Sequence, residues 1–295
     1  MKNALPLDVP SILPRTGLAL LIGAGAFAVG CGGGQAEEGP PEYPPVDEPE
    51  PVVEATPEPE PEPEPPPPPP IEVVAGERSA IEGSAPTLRI RSPRMNQMIR
   101  RGDVMLNAQL RGWELAPAPG QHVHIIVDNE PYIAVRDVSS PVNLNEIYRN
   151  TFERDLAEGT HVVRMFPSRG HHESVKEGTP FAMVMFHYRS RTEDFEFDAS
   201  APLLTYSRPK GCATAGERLL LDFYIANVED FGEGTRVHYR VGDVEGDITS
   251  WVPHYIQNLQ VGEVPIQLTL MNAEGPIAGP FNDTSRTIQV QESCE

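Results

Sequence analysis

From about residue 84 to the C-terminus, apolar side chains recur at every second position, and this period decides what the chain can fold into. Val104, Leu106, Ala108 and Leu110 fall on one face of an extended segment; Met105, Asn107, Gln109 and Arg111 fall on the other. The alternation returns in Val123, Ile125 and Val127, and in Ala182, Val184, Phe186 and Tyr188. It recurs in Leu219, Leu221, Phe223 and Ile225, in Val237, Tyr239 and Val241, and in Ile266, Leu268 and Leu270. A period of two suits a half-buried strand, whereas a helix needs about 3.6. One stretch, Asn145 to Leu156, has mixed spacing and predicts a short helix or turn.

The two halves of this region share an outline. Gly120-Gln121-His122-Val123-His124-Ile125 opens a strand in the first, and Gly234-Thr235-Arg236-Val237-His238-Tyr239 opens one in the second. Leu156-Ala157-Glu158-Gly159-Thr160-His161 is matched by Leu259-Gln260-Val261-Gly262-Glu263-Val264. A leucine, two residues and a glycine before a strand fit a tight corner. This corner-plus-strand pattern resembles that of bacterial immunoglobulin-like and fibronectin-III-like modules. The resemblance implies an all-β chain with two tandem Ig-like antiparallel β-sandwiches, over 84–191 and 200–293. Each is near the roughly 100 residues such a module needs. Pro180, Pro202 and Pro265 stand where they discourage extra strand pairing.

The segment before the strands has another composition. It carries alternating Pro-Glu from Pro57 to Glu64 and then prolines from Pro65 to Pro70. Proline fixes φ and removes a backbone donor, so residues 31–83 are read as a disordered Pro/Glu-rich spacer, extended as polyproline II. Its composition is similar to the periplasm-spanning stretch of TonB-type proteins. Between Gln35 and Ala80 there are 13 acidic residues and one base, so much of the formal net charge of −20 belongs to the spacer. No basic stripe is read in the remainder, which argues against nucleic acid and against acidic lipid surfaces as partners.

Leu18 to Val29 is apolar or glycine throughout, behind Lys2 and Arg15. That length suits the h-region of a signal peptide and is short for a membrane-spanning helix. Ala28-Val29-Gly30-Cys31 follows, and this resembles the lipobox of bacterial lipoproteins, with Ala28 where leucine is commoner. The resemblance implies removal of residues 1–30 and lipidation of Cys31. It also implies an outer-membrane, lipid-anchored protein on the periplasmic face or the cell surface. Several acyl chains on one cysteine anchor stably.

Cys212 and Cys294 remain, and an exported location permits a disulfide between them. Histidines crowd the first half. His122 and His124 share a strand face, and His161 begins another strand that can approach them; imidazoles gathered this way bind Cu(II), Ni(II) or Zn(II). The polar run from Pro167 to Lys176 reads as a loop at the end of a sandwich, with His171, His172, Glu173 and Lys176 as ligand candidates. Trp113, Tyr132, Trp251 and Tyr255 are aromatic and serve either a core or a stacking platform. No Gly-x-Ser-x-Gly elbow, phosphate loop or His-Glu-x-x-His is present. The expectation is a non-enzymatic binding or structural protein without a cofactor, its partner a cell-wall glycan, a peptide or an envelope protein. The alternative is a periplasmic metal-binding or metal-delivery protein using the histidines of the first sandwich.

Overall fold

The computed structural model describes residues 66–81 and 83–294. The leader, Cys31 and most of the spacer lie outside them. Among the described residues there are eighteen strands and one helix. In chain order the strands are β1 (Glu72–Ala75), β2 (Thr87–Ser92), β3 (Gln97–Ile99), β4 (Met105–Arg111), β5 (His122–Val127) and β6 (Ile133–Val135). Then come β7 (Val142–Asn143), α1 (Leu144–Phe152), β8 (Gly159–Ser168) and β9 (Ala182–Tyr188). The second half holds β10 (Leu203–Arg208), β11 (Cys212–Thr214), β12 (Leu219–Ala226), β13 (Arg236–Val241) and β14 (Val244–Ile248). It closes with β15 (His254–Gln257), β16 (Gly262–Asn272), β17 (Gly275–Pro276) and β18 (Asp283–Gln291).

Each half is a sandwich of two sheets, and the two correspond strand for strand. The first pairs β2-β4-β7 against β3-β9-β8-β5-β6. The second pairs β10-β12-β15 against β11-β18-β16-β13-β14, with β17 added to β16. In both, the opening strand divides between the sheets. β2 runs antiparallel to β4 and β3 parallel to β9, while β10 runs antiparallel to β12 and β11 parallel to β18. The alternating apolar faces meet inside. Leu106, Val123, Ile125, Val163, Met165 and Phe186 fill the first core, and Leu221, Phe223, Val237, Ile266, Leu268 and Ile288 fill the second.

The corner read from the sequence recurs. Leu156 and Leu259 are buried, and β8 and β16 start at Gly159 (φ 147°) and Gly262 (φ 142°). A Cβ at Gly159 would also meet the Thr192 hydroxyl oxygen at 2.7 Å. The short helix α1 starts where the side chain of Asn143 accepts from the Glu146 N–H at 3.1 Å, and it stops at Glu153 in a left-handed conformation.

The structure corrects the reading of residues 31–83 as spacer throughout. Glu72–Ala75 is a strand, pairing antiparallel with β15 from Glu72↔Gln257 to Ala75↔His254. Val73 and Ile71 pack against the second core, so two apolar residues suffice to seat this stretch on a sheet edge. The described residues belong to one compact unit, Glu64–Glu295.

Candidate functional site

Strand β5 faces two ways. Val123, Ile125 and Val127 enter the first core, which leaves His122, His124 and Ile126 on the outer face of the sheet. That face is not solvated: all six residues of β5 are buried. The second sandwich covers it. Ile126, Tyr132 and Phe166 from the first half pack with Tyr224 from the second, and Phe181 stacks on Tyr224 at 4.8 Å between centroids.

Polar groups fill the rest of this seam, each with a partner across it. Arg164 is fully buried. It donates to the Leu204 carbonyl at 3.1 Å, the Thr205 hydroxyl at 3.2 Å and the Asp128 carbonyl, with its guanidinium over the Phe281 ring. Arg286 returns the favour from the second half, donating to the Glu130 carbonyl at 3.0 Å. Lys176 pairs with Asp222 at 2.8 Å, and the Ser174 hydroxyl donates to the same carboxylate oxygen at 2.8 Å.

Three histidines converge at one edge of the seam. His122 Nε2 lies 3.0 Å from His124 Nε2 and 3.0 Å from His172 Nδ1, and the three nitrogens lie within 4.8 Å of one another. Their other contacts fix them. His122 Nδ1 is 3.0 Å from the Gly120 carbonyl, and His124 Nδ1 is 3.1 Å from the hydroxyl of Ser207 in the second sandwich. The Tyr132 hydroxyl lies 3.0 Å from His172 Nδ1 and accepts from Arg208 at 2.9 Å. The Tyr132 ring stacks on His124 at 3.7 Å. Burial holds all three imidazoles neutral: it lowers His122, lowers His124 far below the usual range, and takes His172 to about 3 with help from the Arg208 charge. Burial and Arg208 together lower Lys210 to about 8.

His161 is not part of this group. Its Nδ1 lies 2.8 Å from Asp128 Oδ2 and its Nε2 2.9 Å from the Ala157 carbonyl. The reason is strand register: His161 stands opposite Phe186, and His124 stands opposite Phe166, five positions further along β8. The third imidazole comes instead from the hairpin after β8, where His172 adopts φ 70°.

The ligand loop of the sequence reading is corrected as well. Glu173 is buried and accepts from the Ser79 hydroxyl at 2.6 Å and lies 2.9 Å from His171 Nε2. Lys176 is buried against Asp222. His172 belongs to the histidine group, and His171 alone of the four keeps a half-exposed side chain. These residues seal the seam because the second sandwich and the chain around Ser79 lie on top of them. Cys212 and Cys294 are joined, their Cα atoms 5.9 Å apart. Trp251 packs on Tyr224, and Tyr255 lies on β15 beneath the Arg218 guanidinium. Trp113 carries the Arg169 guanidinium at 5.4 Å.

A second feature escaped the sequence reading. Six arginines (Arg89, Arg91, Arg94, Arg100, Arg101 and Arg111) and one acid, Asp103, stand between residues 89 and 111. Because Leu88, Leu106 and Ala108 face the core, β2 and β4 turn Arg89, Arg91 and Arg111 outward. Register sets Arg89 opposite Gln109 and Thr87 opposite Arg111, and these residues with Arg91 line one groove. Among the described residues none of the six arginines forms an ion pair, and all six are exposed. The expectation of no basic stripe is therefore corrected. The whole-chain charge hid it, because acids elsewhere outnumber it. The local signal was the run of arginines at alternate positions.

No protein-family model matches the chain, and no curated protein does. Among solved structures it is similar to fibronectin(III)-like modules of Clostridium thermocellum CbhA, at 14% identity and a TM-score of 0.25, covering 70% of this chain and 94% of that one. It is also similar to the Bacteroides ovatus mixed-linkage glucan utilization locus protein SGBP-B, solved in complex with a mixed-linkage heptasaccharide. There the identity is 13% and the TM-score 0.19, covering 72% of this chain and 48% of that one. A third is the N-terminal three-domain part of the bacteriophage RB49 outer capsid protein Hoc, at 10% identity and a TM-score of 0.20, covering 71% and 70%. Likeness at this level leaves function to be argued from the residues.

Proposed function

We propose that the mature chain is a lipid-anchored protein of the bacterial outer membrane, without catalytic activity. In this reading Cys31 carries the acyl chains, and the first sandwich binds an anionic envelope glycan through its arginine face. The observation that supports the binding half is that face: Arg89, Arg91 and Arg111 on one groove, exposed and without an ion pair among the described residues, in a chain of formal net charge −20. Charge of the minority sign, gathered on one sheet, draws an anion that the rest of the molecule repels. Guanidinium groups suit phosphate or carboxylate through paired donors, and Gln109 between them adds hydrogen bonding for hydroxyls.

Retention on immobilised envelope polysaccharide tests the reading. A phosphate- or uronate-bearing glycan retains the protein, added salt releases it because exposed charges are screened, and the triple variant Arg89→Glu, Arg91→Glu, Arg111→Glu flows through. Equal retention on a neutral glycan, or an unchanged triple variant, rejects the arginine face as the binding surface. Intact mass of the native protein tests the anchor: it begins at Cys31 with acyl mass added, and a product retaining residues 1–30 refutes it.

A further inference from the structure

We propose that His122, His124 and His172 bind one late first-row transition-metal ion, zinc or copper, at the seam between the sandwiches, with the Tyr132 hydroxyl in the fourth position. The argument starts from hydrogen-bond bookkeeping. The Gly120 carbonyl can only accept, so His122 carries its proton on Nδ1 and turns a lone pair outward from Nε2. Tyr132 accepts from Arg208, which leaves its own hydrogen for His172 Nδ1, so that nitrogen carries no proton and its lone pair is held by the phenol until an ion takes the hydrogen's place. Two bare nitrogens then face each other at 3.0 Å with no hydrogen between them. Ser207 can donate or accept, so His124 is free to place its proton on Nδ1 and offer Nε2 as the third lone pair. A cation at the convergence point satisfies all three.

The surroundings support this. Two of the imidazoles have an outer partner on their other ring nitrogen (a backbone carbonyl at His122, a serine hydroxyl at His124), as metal-ligating histidines do. The group contains no carboxylate or thiolate among the described residues, which favours imidazole-loving ions over calcium, magnesium or manganese. Arg208 and Lys210 are close, the latter donating to the Tyr132 carbonyl at 2.7 Å, and they oppose a bare dication. Tyr132 answers this. Its oxygen, fixed by Arg208 and 3.0 Å from His172 Nδ1, would as a ligand bring one negative charge to the ion once its proton had passed to solvent. Ser207, Arg208 and Lys210 come from the second sandwich, so the second half holds in place a ligand set supplied by the first.

Equilibrium dialysis of the full chain against zinc reads the stoichiometry. One equivalent is expected, and His172→Ala weakens it at least about 100-fold, in line with the loss of a ligand rather than of an outer partner. His171→Ala, next to His172 in sequence but turned to Glu173 and outside the group, binds as the wild type does. No bound zinc at equimolar protein, or undiminished binding by His172→Ala, overturns the site. Should His172→Ala fail to fold, the wild-type copper(II) complex decides. Nitrogen couplings from three imidazoles with a visible phenolate-to-copper band, lost in Tyr132→Phe, uphold it; an oxygen-only spectrum overturns it.

Discussion

At the scale of single residues, His161 shows how one hydrogen-bond pair sets a pH response. Burial disfavours its charge, yet the hydrogen bond and charge of Asp128 and the Ala157 carbonyl outweigh that and raise its pKa above the ordinary value. Both ring nitrogens face acceptors, so the doubly protonated ring is the one the fold accommodates. A raised folded pKa contributes stability that is complete below about 6.5 and is lost as the pH climbs through the folded value. Urea midpoints across pH 6 to 9 should therefore fall faster for the wild type than for His161→Gln. Parallel curves would remove the assignment. The same residue marks the limit of sequence reading at the site. His122 and His124 were legible as a pair because a spacing of two fixes a common strand face. The third member was not, because His161 and His172 differ in strand register and in a left-handed hairpin residue. Those are set by tertiary packing, not by spacing.

At the scale of elements, the long strands were legible because one buried core enforces the period. The short ones were not. β1 has four residues, follows six prolines and has one partner strand, so composition spoke for spacer and only the exposed edge of β15 reveals the pairing. The outward face of β2 and β4 shows the converse: each arginine alone reads as an ordinary polar residue, and only the register between strands makes them a surface. β11 is another short edge element, three residues held parallel to the end of β18. The Cys212–Cys294 bond closes a loop of 82 residues around the second sandwich and ties that edge down. Cys212→Ser, Cys294→Ser should lower the unfolding free energy by about 3–5 kcal/mol on the loop-entropy estimate. A loss under about 1 kcal/mol in reversible urea melts would show that β11 needs no tie.

At the scale of the whole molecule, the decisive feature is that the seam is buried and polar, so neither half can be wet there without stranding charges of the other. Lys176 and Asp222, with side chains 2% and 0% exposed, make the point. Asp222→Ala leaves a buried ammonium without its carboxylate and should cost about 3–5 kcal/mol, whereas Lys176→Met combined with Asp222→Leu should cost far less or nothing. Calorimetry of the wild type should show one transition for both sandwiches. Two resolved transitions, or a double variant as damaged as the single one, would mean the seam does not couple them.

The edge pairing of β1 has a mechanical reading. The chain enters through Ile71, runs along β15 of the second sandwich, and only then crosses to the first at Ser79. A pull arriving along that strand is shared at once by four neighbouring rungs, which must slide together rather than peel in turn. Force applied to the chain ahead of Ile71 would therefore reach the second sandwich before the first, although the first comes earlier in sequence.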